Sequence, residues 1–417
     1  VSAVVRHRNR KRSVQEFRAA FASSPTGAKV LLACLLSAAS PASHGAGAKV
    51  GAASRVNKGL RADSIARRIA DRDFPSVFQA WHPADNLKDE DPLVTLARHD
   101  LVFHGPEFFG LQWERGSEGA PTRLSRDGIA RAMATRRRLL KLNPNMILLA
   151  EIRYLNAWKG FLPEGHRWWK YENGELVWDS KEAGLIRLDW QNRDFQQHVA
   201  AQCKAVVETG VVDGIMLDCW QDDEDRLALI KAVRAAVGEK ALVIANVNDI
   251  VRPLTSPYLN GYFMECYRSH TPEDWQRIAD TLSWAEKHLR KPTVNCLEVW
   301  SHKSRQELNL MRATTTLALC LSNGYCLFAD NGFLPTPDHL HDWYPFWNKS
   351  LGKATAPGRR RRDKAFSREF EKGAAVYNPM GNEAVAVVFP EERTSLATGK
   401  RAREHALEAA DGDIYLK

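Results

Sequence analysis

Seven cysteines in 417 residues never fall as C-x-x-C, which removes the spacing expected of a zinc knuckle or a redox dithiol. No glycine-rich phosphate loop follows a strand-like run, so the turns that cradle nucleotide phosphates are missing as well. No strand-like segment carries the His-x-His pair of metal-dependent barrel hydrolases. The most apolar stretch, Val30 to Ala39, falls well short of the roughly 20 residues needed to cross a bilayer. Neither a cofactor nor a metal is therefore expected, nor a membrane span.

Charge of one sign is concentrated rather than spread. Residues 1–72 hold 14 Lys and Arg against 3 Asp and Glu, a net of +11 against +9 for the whole chain, so residues 73–417 sum to −2. A near-neutral body argues against a nucleic-acid partner. The basic arm instead has the three parts of a secretory signal: Arg6 to Arg12, the apolar core, then small residues ending at Ala46 to Ala48. Residues 1–48 are expected to direct export to the periplasm or exterior, and 49–72 to form a linker. Outside the signal, Cys203, Cys219, Cys266, Cys296, Cys320 and Cys326 sit in apolar surroundings and read as buried free thiols.

With 44% hydrophobic and 26% charged residues, the chain can bury a sizeable core. From residue 73 to about 330, within a barrel expected over 73–350, a rhythm repeats: a short apolar run, a polar loop, an amphipathic helix, and another run. Strands are predicted at Phe74–Trp81, Leu101–His104, Met146–Ile152, Val212–Leu217, Leu242–Val247, Gly261–Tyr267, Thr293–Val299 and Tyr325–Ala329. Uninterrupted apolar runs mark strands covered on both faces. Eight of them alternating with helices is the count of a (β/α)8 TIM barrel, an α/β fold. Between Arg153 and Trp190 the rhythm breaks, and this excursion carries five of the thirteen tryptophans. A loop that long is more often functional than decorative. Residues 365–417 read as a small C-terminal antiparallel β domain, with Ala374–Tyr377 and Ala384–Phe389 expected to form a hairpin around Asn378 to Asn382.

In such barrels chemistry gathers at the carboxyl ends of the strands. Those ends carry His104, Glu151, Arg153, Asp218, Asn246, Glu265, Glu298 and Asp330, so acids stand at five of eight. Acids without metal-ligating histidines suit acid and base work on a neutral substrate. Cleavage of a glycosidic bond needs one carboxyl to protonate the leaving oxygen and one carboxylate to attack or to activate water. It also needs aromatic faces for sugar C–H surfaces, which Trp81, Trp220 and Trp300 could supply. A phosphate substrate would need glycines after strands seven and eight, where only Gly332 occurs.

The run V-D-G-I-M-L-D-C-W at Val212 to Trp220 resembles a known family, together with G-Y-F-M-E-C-Y at Gly261, R-L-D-W-Q-N at Arg187 and F-E-K-G-A-A-V-Y-N-P at Phe370. These segments are similar to the hypothetical TIM-barrel glycosyl hydrolases related to endo-α-1,4-polygalactosaminidase and, more distantly, to the α-galactosidase clan. The resemblance spans roughly residues 75–390. It implies a glycoside hydrolase acting on a polysaccharide or oligosaccharide, with Asp218 as nucleophile and Glu265 as acid/base in a retaining mechanism. The sixth-strand acid is Glu where that clan commonly has Asp. Another large barrel clan would make Glu298 the nucleophile, so Asp218 with Glu298 stays open. Glu151, Arg153, Trp81, His104, Trp220, Asn246, Trp300 and Asp330 are the expected substrate contacts. A barrel that only binds glycans is the alternative from a different class.

Overall fold

The computed structural model describes residues 64–330 and 337–417. The expected targeting segment, most of the expected linker and Gly332 lie outside them. Eight parallel strands pair in sequence order: Phe78–Ala80, Leu101–His104, Ile147–Glu151, Gly214–Leu217, Leu242–Asn246, Gly261–Cys266, Cys296–Trp300 and Tyr325–Ala329. They are called the first to eighth strands below. A parallel bridge between Val77 and Cys326 brings the eighth strand back to the first, with the Cys326 N–H donating to the Ser76 carbonyl at 2.9 Å. The sheet is thus a (β/α)8 barrel.

Its strands are buried on both faces, as their composition requires. Phe78, Phe103 and Phe263 meet inside, with ring centroids 4.9–5.9 Å apart. Each such side chain, fully buried, contributes about 1.5–3 kcal/mol relative to exposure. The helices between strands have legible ends. Ser125 caps Arg126–Leu142, which stops at Asn143 because Pro144 disfavours a helical residue before it. Asp223 caps Glu224–Val237, and Gly238 ends it at φ 75°. Thr271 and Asp274 form a reciprocal capping box on Pro272–His288.

The base of the barrel is closed by charge. Residues 64–72, within the stretch expected as linker, carry a Ser64-capped helix, Ile65–Asp71, that packs against the barrel. Arg68 from this helix and Arg136 both bond the carboxylate of Asp213, which also accepts the Leu148 N–H at 3.0 Å. Burial opposes a charge on Asp213, but Arg136 and Arg68 outweigh it and hold the carboxyl below its usual range.

After the barrel, six antiparallel strands form a second sheet between Arg359 and Leu416, packed on the helix Leu308–Leu321. Arg312 on that helix grips Asp411 through two bonds of 2.9 and 2.7 Å. The expected hairpin does not form. Gly373–Asn378 and Val385–Ser395 are separated by the last strand, Asp411–Leu416, which pairs with both. The turn-rich segment is a crossing held by Asn378, whose side-chain nitrogen donates to the carbonyls of Glu383, Leu407 and Glu408. The tryptophan-rich excursion is likewise built: Asn156–Trp158, Leu185–Arg187 and Trp178–Ser180 make a three-stranded sheet, and an Asn173-Gly174 turn closes a small hairpin. No helix among the described residues is long and apolar enough to cross a membrane.

Candidate active site

The fourth strand delivers a partly exposed Asp218 to the open end of the barrel, and the sixth delivers Glu265, buried to 7% exposure. Asn246, at the end of the fifth strand, stands between them. Its side-chain nitrogen donates to Asp218 Oδ1 at 2.8 Å and to Glu265 Oε2 at 2.6 Å. The other end of the amide accepts the Asn248 N–H at 3.1 Å, which fixes the orientation of the group. Two oxygens on one nitrogen at those distances lie no more than about 5.4 Å apart, the sum of the two bonds. Asn246 was expected as a substrate contact; it spends both N–H groups on the two acids.

Glu298 lies beside Glu265 in the strand register but is wholly buried. Both of its oxygens meet Nδ1 of His339, at 3.0 and 2.9 Å. Burial opposes a charge on His339, yet Glu298 and Asp338 outweigh it and raise the imidazole to about 10, so it is a cation at neutral pH. Its ring packs against Trp81 at 4.8 Å and Trp300 at 5.3 Å. Glu298 therefore faces a cation rather than open space. His339 has no counterpart in the sequence expectations. Its signal is present as Asp338-His339-Leu340-His341, but in a loop, where a His-x-His spacing says little. Among the described residues no group of three or more His, Cys, Asp or Glu could hold a metal ion.

The wall on the side of the first three strands is polar. Trp81 donates its indole N–H to Glu151 Oε2 at 2.7 Å, and Arg153 approaches the other oxygen at 3.7 Å while lying over the Trp158 ring. His104 stacks on Phe108 and accepts the Gly105 N–H; burial, then His82 and Arg153, lower it to about 3, so it is neutral. Glu107, beside it, is pushed up to about 7 by burial and then by Glu118.

Two expected contacts belong elsewhere. Trp220 is 1% exposed and donates its indole N–H to Thr255 at 3.0 Å, so it is core and not a sugar platform. Asp330 is occupied by Ser304 and Arg305 and ties down the loop after the seventh strand. In the excursion, Trp169 and Trp190 pack inward, Trp190 against Arg226. The six cysteines outside the expected signal are free thiols, and only Cys219 is not buried.

Backbone strain collects here. Seven non-glycine residues among those described have φ in the left-handed region, and four of them, Trp81, Cys219, Asn248 and His339, follow the first, fourth, fifth and eighth strands. Such residues cost about 1–3 kcal/mol each and persist where the surroundings over-determine them.

No family model matches the chain, and no curated protein matches it in sequence. Its (β/α)8 barrel with a C-terminal sheet is an architecture also seen in solved amylases. It is similar to a noncanonic maltogenic alpha-amylase from Thermotoga neapolitana, with a TM-score of 0.51 and 11% identity over 82% of this chain and 98% of that one. An alpha-amylase from Malbranchea cinnamomea gives 0.50 and 11%, over 85% and 97%. At such identity the likeness establishes the architecture alone.

Proposed function

We propose that this chain is a glycoside hydrolase that cleaves with retention of anomeric configuration. The observation that carries the reading is the pair of carboxylates bound to one amide nitrogen, with facing oxygens within about 5.4 Å. Retaining enzymes hold their two carboxyl groups about 5–5.5 Å apart, and inverting ones about 6.5–9.5 Å. Asp218 attacks the anomeric carbon while the glycosidic C–O bond breaks, and Glu265 gives its proton to the leaving oxygen. Glu265, now a carboxylate, takes a proton from water, whose oxygen displaces Asp218 and frees the sugar. Asn246 aligns the pair. Trp81, Glu151, Arg153, His104 and Trp300 are the walls for the sugar. Glu298, closed off by His339, breaks no bond in this scheme.

The finer reading is an α-linked polysaccharide or amino-sugar polymer. It rests on the resemblance of the fourth- and sixth-strand motifs, and it is supported by the acids Glu107, Glu118 and Glu151, which lie close enough to influence one another. Export of the chain through its basic and apolar leader is part of the same proposal, and recovery of the full-length chain from the cytosol alone would refute it. The deciding experiment incubates wild type, Asp218→Asn and Glu265→Gln with α-glucans, polygalactosamine and partly acetylated amino-sugar polymers, following reducing ends and product anomers by NMR. Cleavage is expected for wild type alone, with the anomer retained. Undiminished turnover in either variant removes that residue's role; inverted product removes the mechanism; binding without cleavage favours the glycan-binding barrel.

A further inference from the structure

Behind the loop that carries His339, two imidazoles meet head to head. His99 lies in the turn between the helix Pro92–Ala97 and the second strand; His341 lies two residues beyond His339. Both are wholly buried, and their Nε2 atoms are 3.0 Å apart. Each remaining ring nitrogen faces a carbonyl. His341 Nδ1 meets the oxygen of His339 at 3.0 Å, and His99 Nδ1 meets that of Leu96 at 3.3 Å.

A carbonyl only accepts, and a neutral imidazole has a single N–H. Two neutral rings thus have two protons for three contacts. The two shorter contacts are both satisfied in one arrangement: His341 carries its proton on Nδ1, and His99 carries its own on Nε2, donating to His341. The longer contact at Leu96 is then the one without a proton. The surroundings favour neutral rings. Burial, then His341, holds His99 well below its ordinary value, with Arg98 adding to this. Burial lowers His341 to about 4, with His339 and Arg305 adding and Asp85 opposing.

We propose that His99 and His341 are positioning residues for the active site: His99 fixes the tautomer of His341, and His341 holds the carbonyl of His339, keeping its ring on Glu298. His339 needs such a hold. It is a non-glycine residue at φ 61°, and its own N–H and the carbonyl of Leu340 are tied to the backbone of Asp330 at 3.1 and 2.8 Å. With the carbonyl of His339 held as well, the peptide on each side of the strained residue is fixed, and the imidazole has one direction in which to point. The brace matters to catalysis through the hydrolase reading, but its existence does not depend on that reading.

The test needs no substrate. The full chain, labelled with 15N in its histidine rings, is studied by NMR at pH 7 and through a pH titration. Expected are two neutral rings of opposite tautomer, His341 protonated on Nδ1 and His99 on Nε2, and a charged His339. In His341→Leu the His339 carbonyl loses its donor, and the proton affinity of His339 is expected to fall at least tenfold, about one pH unit. In His341→Asn the amide nitrogen overlays Nδ1, and the affinity is expected to return to within about threefold of wild type. Melting temperatures of both variants control for general loosening, which would not be rescued by Asn alone. If His341→Leu does not fold, His99 variants decide: His99→Gln keeps a donor and the Nδ1–H of His341, while in His99→Phe only the His339 carbonyl favours that tautomer and its share is expected to fall. Equal tautomers in wild type, or a His339 indifferent to both sets of variants, would overturn the brace. Either result leaves the hydrolase proposal standing, and an inactive protein leaves the brace testable.

Discussion

Replacing Asp213 by Asn sets the two acids of one motif against each other. Asp213 opens the fourth strand at the base of the barrel, and Asp218 ends it at the mouth. At 4% exposure Asp213 takes bonds from Arg68 and Arg136, whose side chains are 7% and 12% exposed. The variant keeps a comparable volume but leaves two guanidinium groups without their counter-charge in a site closed to water. Removing one partner of a buried ion pair costs about 3–5 kcal/mol. In chains of 150–250 residues each kcal/mol moves the melting point by roughly 2–4 °C, which would give a fall of about 6–20 °C, and in this longer chain the fall is expected toward the lower end. The pH dependence adds a check of sign. The folded carboxyl is held below its unfolded value of 3.8, so its contribution is complete above that value and fades as pH falls through the folded one. The gap between wild type and Asp213→Asn should therefore narrow below about pH 4. Urea denaturation followed by circular dichroism at pH 3 to 8 measures this. Asp218→Asn, made in parallel, should melt no lower than wild type while losing turnover. A cost under about 1 kcal/mol for Asp213→Asn, or an equal loss in Asp218→Asn, refutes the division of labour.

His339→Leu should cost about 3–5 kcal/mol because it strands a buried Glu298, and adding Glu298→Leu should recover much of that; additive losses in a double-mutant cycle would count against the pair. Glu107 is raised by burial to about 7, so its protonated form favours the fold below 4.5 and that contribution is lost as pH rises through about 7. Glu107→Gln should flatten the melting curve over that window, and parallel curves would contradict the assignment. Gly214→Ala would place a Cβ 2.0 Å from the Leu242 carbonyl oxygen on the next strand, so little folded protein is expected; a soluble variant melting near wild type would show that the strands can part.

The barrel was legible because parallel strands covered on both faces spell uninterrupted apolar runs. Leu101–His104 and Tyr325–Ala329 occupy the residues their composition marks out. The first strand is shorter than its apolar run, since Phe74 leaves the sheet to bridge Gly352. Strand ends also placed Asp218 and Glu265 on one face, but Asn246 between them has no such signal: an amide at a strand end looks alike whether it binds substrate or ties two acids together. Trp220 shows the converse limit, because the surface that would suit a sugar also suits a core. In the C-terminal sheet only the runs at Ala374–Tyr377 and Ala384–Phe389 were visible; the last strands, Arg401–Leu407 and Asp411–Leu416, look faint in the sequence, and the order of neighbours was not legible. Which strand inserts between Gly373–Asn378 and Val385–Ser395 depends on the packing of Asp411–Leu416 against the helix Leu308–Leu321, a contact made about a hundred residues apart.

The left-handed residues connect these levels. Asn173, Lys364 and Ala410 take such angles away from the mouth of the barrel, Asn173 in a tight hairpin turn where they cost little. Trp81, Cys219, Asn248 and His339 lie outside tight hairpin turns, and each is restrained by a bond: Trp81 to Glu151, the Cys219 carbonyl to Tyr154, Asn248 to Asn246 and Glu265, His339 to Glu298 and His341. At about 1–3 kcal/mol apiece the four together rival the net stability of an ordinary domain. That strain must be offset elsewhere, and the apolar core buried on both faces of the eight strands supplies an offset. A fold that only needed to be stable would not gather its strain in the segments that follow four of the barrel strands. One that must hold acids a few ångströms apart, facing a substrate rather than each other, has reason to.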